Sequence, residues 1–274
     1  MSTDPTFRRD LYRGTARYYD EYRVPYPVAL FDDLCARAGV GKGGRLLDLA
    51  CGTGQIAFPL ANRFEEVCAV DQEAESVAFG RAKAESLGVG NIRWMVDSAE
   101  ALVPDGAFDL VAVGNAFHRL PRALVAERVA SWLAPGGSLA LLWGGPPWAG
   151  DLPWQEDLAA LMDEWTDRVG AADRVPSNWQ EALDNDPNPR VLEGAGLDYV
   201  GEYTFPVEHD WTVASVAGFL YSTSVLNRDA LGDHADAFEA DLAARLLERK
   251  PDGVFHQTLR FAYELARRPP ARDT

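Results

Sequence analysis

Leu46-Leu47-Asp48-Leu49-Ala50-Cys51-Gly52-Thr53-Gly54-Gln55 is an apolar run carrying an acid, followed by a small-residue loop and the start of a helix. Glycines in such a turn reach backbone conformations closed to other residues and let a ligand come close. The amides that open the next helix can then face a polar group of that ligand. Gly52-x-Gly54 alone also fits a plain strand-to-helix turn, because short glycine patterns carry little information. Its neighbours must decide.

Outward from this loop the chain alternates strand and helix. Arg45–Leu49 reads as a strand, Gln55–Arg63 as a helix, and Glu66–Val70 as a strand ending in Asp71. Glu73–Leu87 is the next helix and Asn91–Val96 the next strand, ending in Asp97. Phe108–Val113, the helix Arg122–Leu133 and the strand Ser138–Trp143 complete the run. This rhythm predicts an α/β fold with a doubly wound, mainly parallel sheet. Right-handed crossovers then place every loop after a strand on one edge, where such folds bind ligands.

Before the run, residues 7–20 predict a short amphipathic helix ending in Tyr18-Tyr19. Tyr22-Arg23-Val24-Pro25-Tyr26-Pro27 follows, and its prolines forbid a continuing helix. The stretch is either packing or a flap whose tyrosines and Arg23 meet a ligand carboxylate, since Arg offers a rigid donor fork. Val28 to Ala38 has helical spacing.

After Trp143 the rhythm breaks at Gly144-Gly145-Pro146-Pro147. Leu152 to Val169 reads as helix and Arg174 to Pro189 as irregular, which is long for a simple connection. Tyr199–Val207 and Val254–Leu265 read as strands, with helices over Val213–Ser222 and Ala230–Glu248. The expected organisation is a flap and core over residues 1–143, an inserted helical lid over 144–196, and a C-terminal part, 197–274, that completes a seven-stranded sheet. Five tryptophans of the lid region, Trp143, Trp148, Trp154, Trp165 and Trp179, suit an apolar or ring-bearing small molecule if they line a cavity.

Asp plus Glu number 42 against 26 Lys plus Arg, a formal charge of −16. A surface this acidic repels phosphate backbones and anionic lipid, so neither nucleic acid nor a membrane surface is an expected partner. Met1 to Asp10 lacks an apolar signal core, and no apolar stretch is long enough to span a bilayer. Cys35, Cys51 and Cys68 are widely spaced and show no metal-like pairing. A reducing cytoplasm is the expected setting.

Two nucleotide cofactors compete for the loop. Gly52-x-Gly54-x-x-Ala57 matches the dinucleotide fingerprint, and Asp71 lies 19 residues beyond Gly52, where an acid that binds ribose hydroxyls would sit. An NAD-dependent oxidoreductase is therefore allowed by spacing. Three features point elsewhere. Asp48 inside the cofactor edge repels a pyrophosphate and welcomes a cation. Asp97-Ser98-Ala99-Glu100 can accept a hydrogen bond from an adenine amino group. A Tyr-x-x-x-Lys pair or other hydride-transfer site is not evident.

Asp48-Leu-Ala-Cys-Gly52-Thr-Gly54, Asp71, Asp97-Ser-Ala-Glu, Phe108-Asp109-Leu110-Val111 and Leu133-Ala-Pro-Gly-Gly137 together resemble a class I S-adenosylmethionine-dependent methyltransferase. Residues 44–143 carry the resemblance, and Tyr19-x-x-x-Arg23 with Tyr26-Pro27 is similar to the flap of small-molecule members. The resemblance implies a Rossmann-like methyltransferase fold with S-adenosylmethionine as cofactor. It implies that the backbone at Ala50 and Gly52 faces the methionine part, with Asp71 on the ribose and Gln72 beside the adenine. Asp97 would meet the adenine amino group, with Ser98 and Ala99 at its edge and Asn115 near the sulfonium. The family usually has glycine at Ala50, whose backbone is expected to stay at negative φ.

Methyl transfer from a sulfonium needs alignment more than acid–base help, and a base only when the acceptor must lose a proton. His118, after the fourth strand, is the candidate base; Arg119 beside it can pair with an acidic acceptor or with surface carboxylates. His209, His234 and His256 carry no assignment. The reading is a methyltransferase for a small metabolite, secondary metabolism included, with O-transfer preferred to N-transfer. The rivals are the NAD-dependent oxidoreductase and a cofactor-binding module without transfer activity.

Overall fold

The computed structural model describes residues 5–270; the ends read above, 1–4 and 271–274, lie outside the described residues. Among the described residues seven strands form one sheet: β1 (Arg45–Leu49), β2 (Glu66–Asp71), β3 (Ile92–Val96), β4 (Phe108–Gly114), β5 (Leu133–Gly144), β6 (Asp198–Thr212) and β7 (Val254–Arg267). Their order is β3-β2-β1-β4-β5-β7-β6. The first five pair in parallel, and β7 runs antiparallel to both β5 and β6. The expected doubly wound, mainly parallel sheet is present.

The helices are α1 (Ala16–Tyr22), α2 (Val28–Ala38), α3 (Ala57–Leu60), α4 (Ala74–Leu87), α5 (Arg122–Trp132), α6 (Pro153–Arg168), α7 (Trp179–Asn185), α8 (Asn188–Gly194), α9 (Val213–Tyr221), α10 (Arg228–Leu231) and α11 (Ala235–Arg249). Strands buried on both faces read as continuous apolar runs, and period-two alternation sends their side chains to two cores. Leu46, Leu110 and Ala112 join the core under α2, α3, α4, α6, α9 and α11. Leu47, Leu49, Val111 and Val113 join the core under α5 and α8. Asp48 alternates with Leu47 and Leu49, so it points toward the α3 side.

Several boundaries differ from expectation. The N-terminal helix is confined to Ala16–Tyr22, because Gly14 stands at φ 75° and breaks the chain direction just before it. α3 is four residues long rather than spanning Gln55–Arg63, and Pro59 inside it cannot donate to a helical ladder. The stretch read as irregular contains α7 and the start of α8.

The expected lid segment, 144–196, is spread over both sides of the sheet. α6 is tied to α11, where Trp165 Nε1 donates to Asp241 at 2.8 Å and Arg245 and Arg249 meet Glu164 and Asp157 at 2.7 and 2.6 Å. α8 joins the α5 core instead. α7 is held by buried Arg122, whose Nη1 and Nη2 donate to the carbonyls of Asp186 and Ala182. All three cysteines are buried and free. Among the described residues no helix is long and apolar enough to cross a membrane.

Candidate active site

The carboxyl ends of β1 to β5 open on one cavity of about 830 Å³. Ala50 and Gly52 enter it from β1, Asp71 and Gln72 from β2, Asp97, Ser98 and Ala99 from β3, and Asn115 and His118 from β4. Tyr19 and Arg23 line it from the N-terminal segment. The fold thus gathers eleven of the twelve expected site residues. The exception is Asp48.

Asp48 is 1% exposed and lies beneath the loop, outside the lining. Its Oδ2 accepts from the amide of Ala57 at 2.9 Å, and its Oδ1 has no hydrogen-bond partner among the described residues. Burial pushes its pKa up to about 7, with the nearby Asp71 charge adding to the rise. Asp48 therefore caps α3 instead of lining the ligand space. The amide expected to face a ligand is already taken by that carboxylate.

The two glycines of the loop do different jobs. A Cβ on Gly54, at φ 95°, would stand 2.6 Å from the Trp94 ring and 3.0 Å from Phe58, so the chain's own aromatics fill that space. A Cβ on Gly52 would meet only Tyr19, at 3.9 Å. Ala50 departs from its expected negative φ and takes 57°. The turn needs a left-handed residue there whatever its side chain. Asn115, at the end of β4, is the other non-glycine residue at positive φ among those described, at 50°.

Asp71 Oδ2 accepts from the Gly52 amide and Oδ1 from the Glu73 amide, both at 2.8 Å. The Gln72 amide also hydrogen-bonds this carboxylate, and its remaining lone-pair capacity can accept from a hydroxyl. Burial raises its pKa, and those backbone hydrogen bonds oppose the rise. Asp97 accepts from Ser98 N at 2.8 Å. Asn115 donates to Tyr26 Oη at 3.1 Å, which fixes its amide at the end of β4.

Arg23 donates to Ser222 Oγ at 2.7 Å and to the Ser222 carbonyl at 3.2 Å, between the rings of Tyr19 and Phe219. Burial lowers its pKa, and no described carboxylate pairs with it. His118 sits between Trp179 and Phe7. Its Nε2 accepts from Arg119 Nε at 3.0 Å, and burial with the Arg122 charge nearby lowers its pKa to about 4. A guanidinium only donates, so Nε2 is the acceptor and the ring proton belongs on Nδ1. The candidate base has its lone pair engaged.

Of the five tryptophans, Trp148 and Trp179 line the cavity. Trp154 and Trp165 are core, packed on Phe255 and Phe238, and Trp143 lies in β5 away from the lining. Residues not singled out from sequence complete the wall, including Tyr12, Met162, Leu183 and Thr223-Ser224-Val225. Their sequence neighbourhoods hold no motif, because apolar wall residues look like core.

A methyltransferase domain family matches residues 46–137. A demethylmenaquinone methyltransferase from Thermus thermophilus is 39% identical over 109 residues, 38% of this chain and 48% of that protein. An uncharacterized methyltransferase from Schizosaccharomyces pombe is 28% identical over 148 residues, 53% of this chain and 56% of that protein. The chain thus spans about half the length of these curated relatives. A solved structure from Anaeromyxobacter dehalogenans, provisionally named a type II methyltransferase, superposes with a TM-score of 0.65 at 22% identity, covering 91% of this chain and all of that one. The match to a methyltransferase domain thus falls on residues 46–137, the part of the sheet whose strand ends open on the cavity.

Proposed function

We propose that the whole chain is an S-adenosylmethionine-dependent methyltransferase for a small-molecule acceptor, with O-transfer preferred to N-transfer. The observation that carries this reading is the one cavity lined both by Asp71 and Asp97 and by Trp148 and Trp179. Segment 144–196 then serves as the acceptor-binding part, and residues 197–274 complete the same domain as the core.

The donor set fits the cofactor. Asp71, whose carboxylate lines the cavity, takes the ribose hydroxyls; Asp97 takes the adenine amino group, with Gln72, Ser98 and Ala99 beside the ring. The uncompensated guanidinium of Arg23, steadied by Tyr19, takes the amino-acid carboxylate, and the Ala50–Gly52 backbone lies along the methionine part. Asn115 lies near the sulfonium. S-adenosylmethionine, when bound, supplies a methyl group on positively charged sulfur. The chain's part is then to align the acceptor and exclude water. His118 orients Arg119 rather than acting as base, so the favoured acceptor atom needs no strong base.

Methyl-labelled S-adenosylmethionine offered with paired hydroxy, carboxy and amino acceptors tests the proposal. Label in an oxygen-linked product is expected. A protein that leaves all label in the cofactor would support the non-transferring rival, and label on nitrogen alone would reverse the preference.

A further inference from the structure

Charge is divided within the cavity. Among the described residues, its four acidic lining residues, Asp71, Glu73, Asp97 and Glu100, all come from the ends of β2 and β3. The lining contributed by residues 114–225 holds Arg119 and His118 and no acid. This stretch of wall stands out in a chain of net charge −16, and among the described residues the cavity lining contains no lysine.

Arg119 is held on two sides. Its Nε donates to His118 Nε2 at 3.0 Å, and its guanidinium lies 4.5 Å from the centre of the Tyr12 ring. His118 is in turn set against Trp179. Nη1 and Nη2 have no hydrogen-bond partner and the group has no ion pair among the described residues. A ring face offsets only part of the cost of withdrawing a guanidinium from water. Burial lowers the Arg119 pKa to about 10, which still leaves it charged at neutral pH. Of the other arginines lining the cavity, Arg8 is paired with Asp10, Arg9 is exposed, and Arg23 is held by Ser222.

We propose that the acceptor carries a carboxylate gripped by Nη1 and Nη2 of Arg119, with its apolar or aromatic body against Trp148, Met162 and Trp179. This rests on the methyltransferase reading of the same cavity. A planar guanidinium fork matches a carboxylate two-pronged. One positive charge balances one carboxylate, whereas a phosphate dianion would call for further cations that this wall lacks. His118 becomes a positioning residue that fixes the fork.

The test is calorimetry. The protein is first titrated with S-adenosylhomocysteine, then, saturated with it, with benzoate, phenylacetate, cinnamate, indole-3-acetate and hexanoate, each beside its primary amide. At least one carboxylate is expected to bind 10-fold or more tightly than its amide, as for a charge-assisted hydrogen-bonded pair. Arg119→Gln should abolish that preference while S-adenosylhomocysteine still binds, and Arg119→Lys should keep part of it. Normal S-adenosylhomocysteine binding with no carboxylate preference, or a preference that survives Arg119→Gln, overturns the assignment. Failure to bind S-adenosylhomocysteine overturns the underlying cofactor reading, and this assignment with it.

Discussion

Two residues other than glycine hold left-handed backbone in the described chain, Ala50 at φ 57° and Asn115 at φ 50°. They end the neighbouring parallel strands β1 and β4, and both line the cavity. Asparagine tolerates this region, but alanine sets its Cβ against the following carbonyl at a cost of about 1–2 kcal/mol. Ala50→Gly removes that strain and gives back part of the gain through a freer unfolded chain. A net stabilisation of about 0.5–1 kcal/mol follows, read in a thermal melt as a rise of about 2 °C. A lowered midpoint would mean that Ala50 is not strained. Glycine is usual at this position in the resembling family, which made the residue conspicuous. The alternation of the sequence did not reveal its backbone angle, because that is set by the turn and not by the side chain.

At the scale of elements, the junction of β1 and α3 depends on a buried acid. Asp48 caps Ala57 N with one oxygen, and among the described residues the other has no partner. Its pKa rises from an ordinary carboxylate value near 4 in the unfolded chain to about 7 in the fold. The folded state therefore holds a proton that the unfolded state has lost between those pH values. The stability this provides is full below about pH 4 and is lost as pH rises through about 7. Denaturant melts of the unmodified protein and Asp48→Asn across pH 4–8 should show the unmodified protein losing stability relative to the variant over that window. A difference that stays flat, or a relative gain with pH, would contradict the buried-acid account. The strands β1 to β5 were legible because parallel strands buried on both faces read as apolar runs. Segment 144–196 was not, since Trp154 and Trp165 in the core and Trp148 and Trp179 at the cavity are the same residue type. Only tertiary placement, set by contacts such as Trp165 with Asp241, separates them.

Across the whole molecule, the sheet brings acids from β2 and β3 and an arginine after β4 to the wall of one space. Asp71, Asp97 and the Gly52 loop were readable because each ends a strand at the edge where this fold binds ligands. Arg119 was visible but unresolved, since an acidic chain offers many carboxylates that could have paired with it. Its freedom emerges only when its surroundings are known. The glycine spacing and Asp71 suit a dinucleotide equally well, so the cofactor is the claim on which the functional account depends. Calorimetric titration of the unmodified protein with S-adenosylhomocysteine and, separately, with oxidised and reduced nicotinamide dinucleotides tests it most directly. One saturable S-adenosylhomocysteine site per chain and no nicotinamide binding are expected; saturable nicotinamide binding without S-adenosylhomocysteine binding would contradict the methyltransferase reading.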